Sequence, residues 1–220
     1  MTYPNAANGV GKLFTAQILL IIAAILGAVS AVVSAAVTIN NMGNADNLGA
    51  FVSTGLTGLL AVGIIALAFL VIYIIAFIIQ LIGLAKAGKD ENMIKIAFIL
   101  TLVNLLLTIV AAVLSSSAPT ASSVLRLAVT VIQVLINVLT IMGISNLAGS
   151  LGNEKIVRSG KVLIVIVLIT QILGAVLNFV AQKALAVAGV MALISLVLML
   201  IGYIMYLIFL SRSKKFLATA

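Results

Sequence analysis

Amide side chains are the polar groups that this sequence places deepest within apolar runs. Gln133 and Asn137 lie one helical turn apart and therefore share one face of a helix. Gln171 and Asn178 lie two turns apart, again on one face, and Asn104 lies in an earlier apolar run. Because an unpaired amide that faces lipid costs several kcal/mol, we expect all of these amides to turn inward and to join the third, fourth and fifth helices.

Two uses are open to this intramembrane polar cluster of Asn104, Gln133, Asn137, Gln171 and Asn178. The first is packing, in which each interhelical hydrogen bond contributes roughly 0.6 kcal/mol. The second is a site for a neutral solute or an ion near the middle of the membrane. No charged or aromatic residue accompanies the amides to orient a ligand, so the sequence favours packing.

Catalytic and metal-binding chemistry has few residues to work with. The chain contains no Cys and no His, which excludes disulfides, thiolate nucleophiles and Cys- or His-ligated zinc or haem. All four acidic residues lie between the apolar runs, so proton relays and most ion coupling lack an intramembrane charge. The serines near Pro119 have no His or acid beside them that could activate a nucleophile. The sequence therefore predicts a protein that is not an enzyme and that has no metal site and no cofactor.

Six long apolar runs are the elements that position these side chains. Hydrophobic residues make up 65% of the 220-residue chain, charged residues only 7%, and the mean hydropathy is +1.42. A soluble core of this size could not bury so much apolar surface, whereas a lipid bilayer can cover it. We therefore predict an all-α, polytopic membrane protein with a single transmembrane domain over residues 1–220. Its six transmembrane helices are expected at about 13–38, 56–84, 93–114, 124–144, 162–181 and 185–210.

The net charge of +8 would suggest nucleic-acid binding in a soluble protein, but its distribution here indicates membrane orientation instead. Ten of the 12 basic residues lie in alternate loops and near the two chain ends. Lys and Arg hold loops on the cytoplasmic side, so we predict a cell-membrane protein with both termini in the cytoplasm and no nucleic acid as partner. The external loops are then expected at about 39–55, 115–123 and 182–184.

Cysteine accessibility tests this orientation, since the chain has no cysteine of its own. A cysteine that replaces Asn47, in the first external loop, is expected to react with an impermeant thiol reagent in intact cells. A cysteine that replaces Lys89, in a basic loop, is expected to react only after the membrane has been opened. The reverse pattern would place both termini outside.

A threefold repeat of helical hairpins is one interpretation of the sequence. Gly83, Gly143 and Gly202 recur at near-equal spacing toward the ends of the second, fourth and sixth helices. The residues at 25–29 recur at 172–176. Three hairpins in the same orientation would be related by an axis along the membrane normal. Chance similarity among strings of Leu, Ile, Val and Ala is the other interpretation.

Small residues occupy every fourth position on one face of the first helix, at Ala23, Gly27, Ala31 and Ala35. This spacing lets another helix backbone approach closely. The favoured neighbour is another helix of the same chain, because every polytopic bundle needs such faces. The alternative is a docking face for a partner subunit.

These observations predict a non-enzymatic integral membrane protein that packs with partner membrane subunits or with itself as a homo-oligomer, in contact with the lipid bilayer. The alternative is a membrane transport component that binds a small neutral or apolar solute. The six helices and the spacings of Ala24 to Ala28 and Ala31 to Ala35 loosely resemble the substrate-binding subunits of energy-coupling-factor transporters. This resemblance implies such a solute site, although the chain lacks the Trp, His and intramembrane acidic residues expected around a vitamin-like ligand.

Overall fold

The structure, a computed structural model, describes the backbone of residues 3–43, 48–181 and 185–219. Side chains are described for residues 3–38, 60, 62–173, 194 and 197–219. The described backbone forms six α-helices: α1 (Pro4–Gly43), α2 (Leu48–Ala87), α3 (Asn92–Ser117), α4 (Pro119–Ser150), α5 (Glu154–Ala181) and α6 (Leu185–Thr219).

Each of the six helices contains a stretch that is long and apolar enough to cross a membrane. The prediction of an all-helical, multi-pass membrane protein is therefore confirmed at this level. Helices suit a bilayer because the backbone polar groups inside each one bond within the same segment. The three-hairpin arrangement, the repeat and the single transmembrane domain stay predictions.

The first expected external loop is shorter than predicted because the helices on either side continue past their apolar runs. α1 extends to Gly43 and α2 begins at Leu48, so most of the expected loop at 39–55 is helical. Adding a residue to an existing helix costs far less than starting one, so polar residues readily extend a helix end. The third expected loop, at 182–184, lies outside the described residues.

The second expected external loop, at 115–123, is also largely helical, and Ala118 separates α3 from α4. Pro119 occupies the first turn of α4, where its fixed φ suits a helix and its missing N–H costs nothing. The Ser122 hydroxyl donates to the carbonyl oxygen of Ala111 at 2.9 Å and ties the start of α4 to α3. One residue, Ala118, therefore connects the two helices.

Gly152 and Asn153 form the turn between α4 and α5. Gly152 has a φ of +80°, a left-handed conformation that favours glycine. Its N–H donates to the carbonyl of Gly149 at 2.9 Å, and the N–H of Asn153 donates to that of Ala148 at 2.9 Å, the Schellman pattern that ends a helix. The Asn153 side chain then accepts from the N–H of Ile156 at 3.2 Å and caps the start of α5.

Contacts divide the chain into two compact units, a larger one of Met1–Phe14 with Leu81–Ala220 and a smaller one of Thr15–Gln80. In the larger unit, α3 packs against α4, α4 against α5, and α5 against α6. Its main cluster of buried apolar side chains comes mostly from the helix ends that adjoin the basic loops. These residues are Ala6, Val10, Leu13, Leu84, Ala87, Ile94, Ala97, Ile136, Ile141, Ile144, Leu147, Ala148, Ile156, Leu163, Phe209, Leu210 and Leu217.

Candidate functional site

The amides near the centres of α3 and α4 are hydrogen-bonded to each other. Asn104 donates from Nδ2 to Oε1 of Gln133 at 3.1 Å. Gln133 donates from Nε2 to Oδ1 of Asn137 in a longer bond of 3.5 Å, one turn further along α4. The structure thus brings three residues of the predicted polar cluster together, where they join α3 to α4.

The residues of the polar cluster differ in how far they are buried and in the partners they have. Gln133 is exposed although its amide bonds to Asn104 of α3, which differs from the expected inward orientation. The Oδ1 atom of Asn104 is buried and has no hydrogen-bond partner in the structure. Gln171 is half-buried on α5 and does not belong to this hydrogen-bonded chain. The side chain of Asn178 lies outside the described residues.

The small-residue face of α1 lies in the smaller unit, and its members differ in burial. Ala23 is buried and Gly27 is half-buried. A Cβ on Gly27 would lie 3.5 Å from the ring of Phe69 on α2, which is an ordinary contact distance. Ala31 and Ala35 are exposed. The face therefore meets an aromatic side chain of α2 at Gly27, and its role in helix packing stays a prediction.

The larger unit gathers the basic segments of the chain at one end. The Ser150 hydroxyl donates to the Tyr3 hydroxyl at 3.3 Å and joins the end of α4 to the start of α1. The Lys214 ammonium lies 5.7 Å from the centre of the Phe14 ring and joins α6 to α1. We call the end where the starts of α1, α3 and α5 meet the ends of α2, α4 and α6 the basic end. The segments at this end carry Lys12, Lys86, Lys89, Lys95, Lys155, Arg158, Lys161, Arg212, Lys214 and Lys215.

Asp90, in the turn after α2, holds the first turn of α1 at the basic end. Its Oδ2 atom accepts from the backbone N–H of Ala6 at 2.7 Å, and its Oδ1 atom accepts from the side chain of Asn5 at 3.0 Å. The first N–H groups of a helix have no partner within the helix, so the carboxylate satisfies one of them and opposes the positive end of the helix dipole. The neighbouring Glu91 caps α3 by accepting from the N–H of Met93 at 3.5 Å.

The start of α1 crosses the end of α2 at a glycine. A Cβ on Gly9 would lie 2.6 Å from the backbone nitrogen of Ala87 and 2.6 Å from the carbonyl oxygen of Gly83. Real Cβ atoms do not approach other atoms this closely, so any other residue at Gly9 would separate the two helices. The crossing depends on the absence of a side chain.

The three glycines of the proposed repeat each pack against the helix that precedes their own. Gly83 faces α1, Gly143 faces Ile94 of α3, and Gly202 faces Ile166 of α5. Their depths differ, because Gly83 lies near the end of α2 whereas Gly202 lies near the middle of α6. The shared role is close helix contact, and the repeat itself stays a prediction.

A groove of about 580 Å³ opens between the start of α5 and the end of α6, at the basic end. Lys155, Arg212 and Lys215 line it together with Phe209 and Phe216. In the sequence, Arg212 and Lys215 belong to one basic segment, whereas Lys155 lies far away along the chain. The sequence alone therefore does not indicate that these three cations share a groove. A second groove, of about 440 Å³, lies between the start of α1 and the end of α6, and neither is lined by an amide of the polar cluster.

The described part of the chain brings no three His, Cys, Asp or Glu side chains together as possible metal ligands. No protein-family model matches the sequence, and no curated protein or solved structure matches it either. Two arrangements in the described residues offer polar chemistry to a partner: the hydrogen-bonded amides of α3 and α4, and the cation-lined groove of α5 and α6.

Proposed function

We propose that this integral membrane protein is not an enzyme and that it works by packing against another membrane-embedded chain, either a partner subunit or a second copy. The exposed amide of Gln133 near the centre of α4 is the observation that carries the proposal. Within each candidate span, between 6% and 28% of an 18-residue apolar window is buried within the chain, so lipid or protein must cover the remainder of that window. An amide on such a surface favours protein over lipid.

The Gln133 side chain has more hydrogen-bonding capacity than the described chain uses. A glutamine amide carries two donor hydrogens and an oxygen with two lone pairs. Asn104 donates one hydrogen to Oε1, and Asn137 accepts one from Nε2. One hydrogen and one lone pair remain, and hydrocarbon offers no partner for either. A polar side chain on a neighbouring helix would satisfy both.

The proposal places the protein in the cell membrane with both termini in the cytoplasm. The gathering of ten cations at the basic end supports this orientation, since Lys- and Arg-rich segments are retained on the cytoplasmic side. The exposed Ala31 and Ala35 of α1 would offer a second face that a partner helix could approach closely.

A transport component is the alternative, and it differs in what the amides would contact. Transport of a neutral solute would need a space lined by Asn104, Gln133 or Asn137, because these residues carry the amide groups at membrane depth in α3 and α4. Neither of the two described grooves has such a lining. The hydrogen bonds among the amides themselves support the packing role.

Photo-cross-linking from the surface of α4 tests the proposal. A photoreactive amino acid at Thr130 would lie one turn from Gln133 on the same face and leave the amides intact. The Thr130 hydroxyl donates to the carbonyl of Arg126 in its own helix at 2.9 Å, so its replacement leaves no other helix without a partner. In native membranes we expect an adduct with protein, seen either as a doubled mass or as a link to a different chain.

Leu135 provides the control position, because it is exposed on the opposite side of α4. The same probe there is expected to give mainly lipid adducts. Adding Gln133→Leu to the Thr130 probe should reduce the protein adduct severalfold, since each lost interhelical hydrogen bond weakens association by roughly 0.6–1.7 kcal/mol. Lipid adducts at both positions, or protein adducts that Gln133→Leu leaves unchanged, would contradict the proposal.

A further inference from the structure

Three cations line the groove between α5 and α6, and no acidic residue is among its walls. Lys155 comes from the first turn of α5, and Arg212 and Lys215 come from the last turns of α6. In the described part of the chain, none of the three side chains forms an ion pair or a hydrogen bond. Their positive charge is therefore available to an anionic ligand.

Apolar side chains form the floor of the same groove. Ile156 and Phe209 are buried there, and Phe216 is half-buried. A hydrated anion gains nothing from such walls, whereas a hydrocarbon chain gains free energy in proportion to the apolar area that it covers. The groove thus offers charge for a phosphate and apolar surface for an acyl chain.

Along α5 and α6, the groove lies where the apolar runs meet the basic segments of the chain. The apolar run of α6 ends at Leu210, and Arg212 follows within one turn. On α5, Lys155 precedes the apolar run that begins at Val162 by about two turns. In a bilayer that covers these apolar runs, the cations would lie at headgroup level, and Phe209 would lie on the hydrocarbon side of Arg212.

We propose that this groove binds one anionic phospholipid. Lys155, Arg212 and Lys215 hold the headgroup phosphate, and the upper part of an acyl chain lies against Phe209 and Phe216. Basic pockets between transmembrane helices suit anionic headgroups, and the arginine fork matches the geometry of phosphate oxygens. The groove shares no residue with the Gln133 face, so lipid binding does not depend on the docking of a partner there.

Native mass spectrometry of the full-length protein, purified from vesicles of equal phosphatidylglycerol and phosphatidylcholine, measures which lipid is retained. The parent protein is expected to retain phosphatidylglycerol in preference to phosphatidylcholine. The triple variant Lys155→Gln/Arg212→Gln/Lys215→Gln is expected to reduce that preference by roughly 30- to 100-fold. The variant Lys89→Gln/Lys95→Gln/Lys161→Gln removes the same charge from the same end outside the groove, and we expect a change of less than about threefold.

Two further measurements separate a lipid site from a site for a soluble anion. Phe216→Ala keeps all three cations, so it is expected to weaken retention of long-chain phosphatidylglycerol more than that of the dihexanoyl form. Millimolar inorganic phosphate is expected to leave the lipid bound, and displacement by phosphate would overturn the proposal in favour of a soluble anion. Equal losses in the two triple variants, or equal retention of both lipids by the parent, would also overturn it.

Discussion

Replacing Gly9 with leucine is expected to lower the free energy of unfolding by about 3 kcal/mol or more. A Cβ at this position would lie 2.6 Å from the backbone nitrogen of Ala87 and 2.6 Å from the carbonyl oxygen of Gly83. Backbone atoms cannot rotate aside as a flexible side chain can, so α1 and α2 must separate at the basic end. The neighbouring turn of α1 would then also lose the bond between Ala6 and Asp90.

Gly63→Leu is the matched control, because the structure shows no atom within 4 Å of a Cβ built on Gly63. The same replacement on the exposed surface of α2 is expected to be neutral or to stabilise the helix by up to about 1 kcal/mol, since leucine favours a helix more than glycine does. Thermal unfolding in lipid nanodiscs, followed by circular dichroism, measures both variants. Equal melting temperatures would show that the crossing at Gly9 is not a close one.

Asp90→Ala is expected to destabilise the larger unit by about 2–3 kcal/mol. The substitution removes the acceptor of two hydrogen bonds, from the Ala6 backbone at 2.7 Å and from the Asn5 side chain at 3.0 Å. Ala6 is 0% exposed, so little water can reach its backbone N–H to replace the lost carboxylate. The positive end of the α1 dipole also loses its counter-charge.

Two variants separate the roles of the acceptor and of the charge at Asp90. Asp90→Asn keeps an oxygen acceptor but no charge, so it is expected to recover roughly half of the loss. Glu154→Ala removes an exposed acidic residue from the first turn of α5 and is expected to cost less than about 0.5 kcal/mol. Hydrogen–deuterium exchange in the peptide 3–14 should accelerate most in Asp90→Ala, by an intermediate amount in Asp90→Asn, and not in Glu154→Ala. Unchanged protection of that peptide would mean that another group caps α1.

The amide cluster shows how far the spacing of residues can predict a contact. Because Gln133 and Asn137 are one turn apart, they share a face of α4 in any helix. Only the packing of α3 on α4 brings Asn104 within 3.1 Å of Gln133 and leaves Gln133 exposed. The spacing contains no information about which face of α4 a neighbouring helix covers. The sequence therefore could not indicate that Gln133 would be exposed.

The helix ends were harder to predict than the helices. An apolar run marks where a chain can cross a bilayer, but a helix continues as long as its backbone hydrogen bonds propagate. The residues at 115–117 therefore extend α3, and Pro119 begins α4 almost immediately. The turn after α4 is different, because Gly152 and Asn153 are local signals for a helix end and a helix start.

The sequence by itself determined that this is a multi-pass helical membrane protein and which segments carry its charge, because transfer into lipid and charge placement are local properties of the chain. Tertiary structure decided which residues meet. It set Asp90 against the start of α1, Gly9 against Ala87, and Lys155 beside Arg212 in one groove. These pairs are far apart along the chain. Helices that are apolar on every side have no polar stripe to indicate which face packs, so only the folded arrangement specifies them.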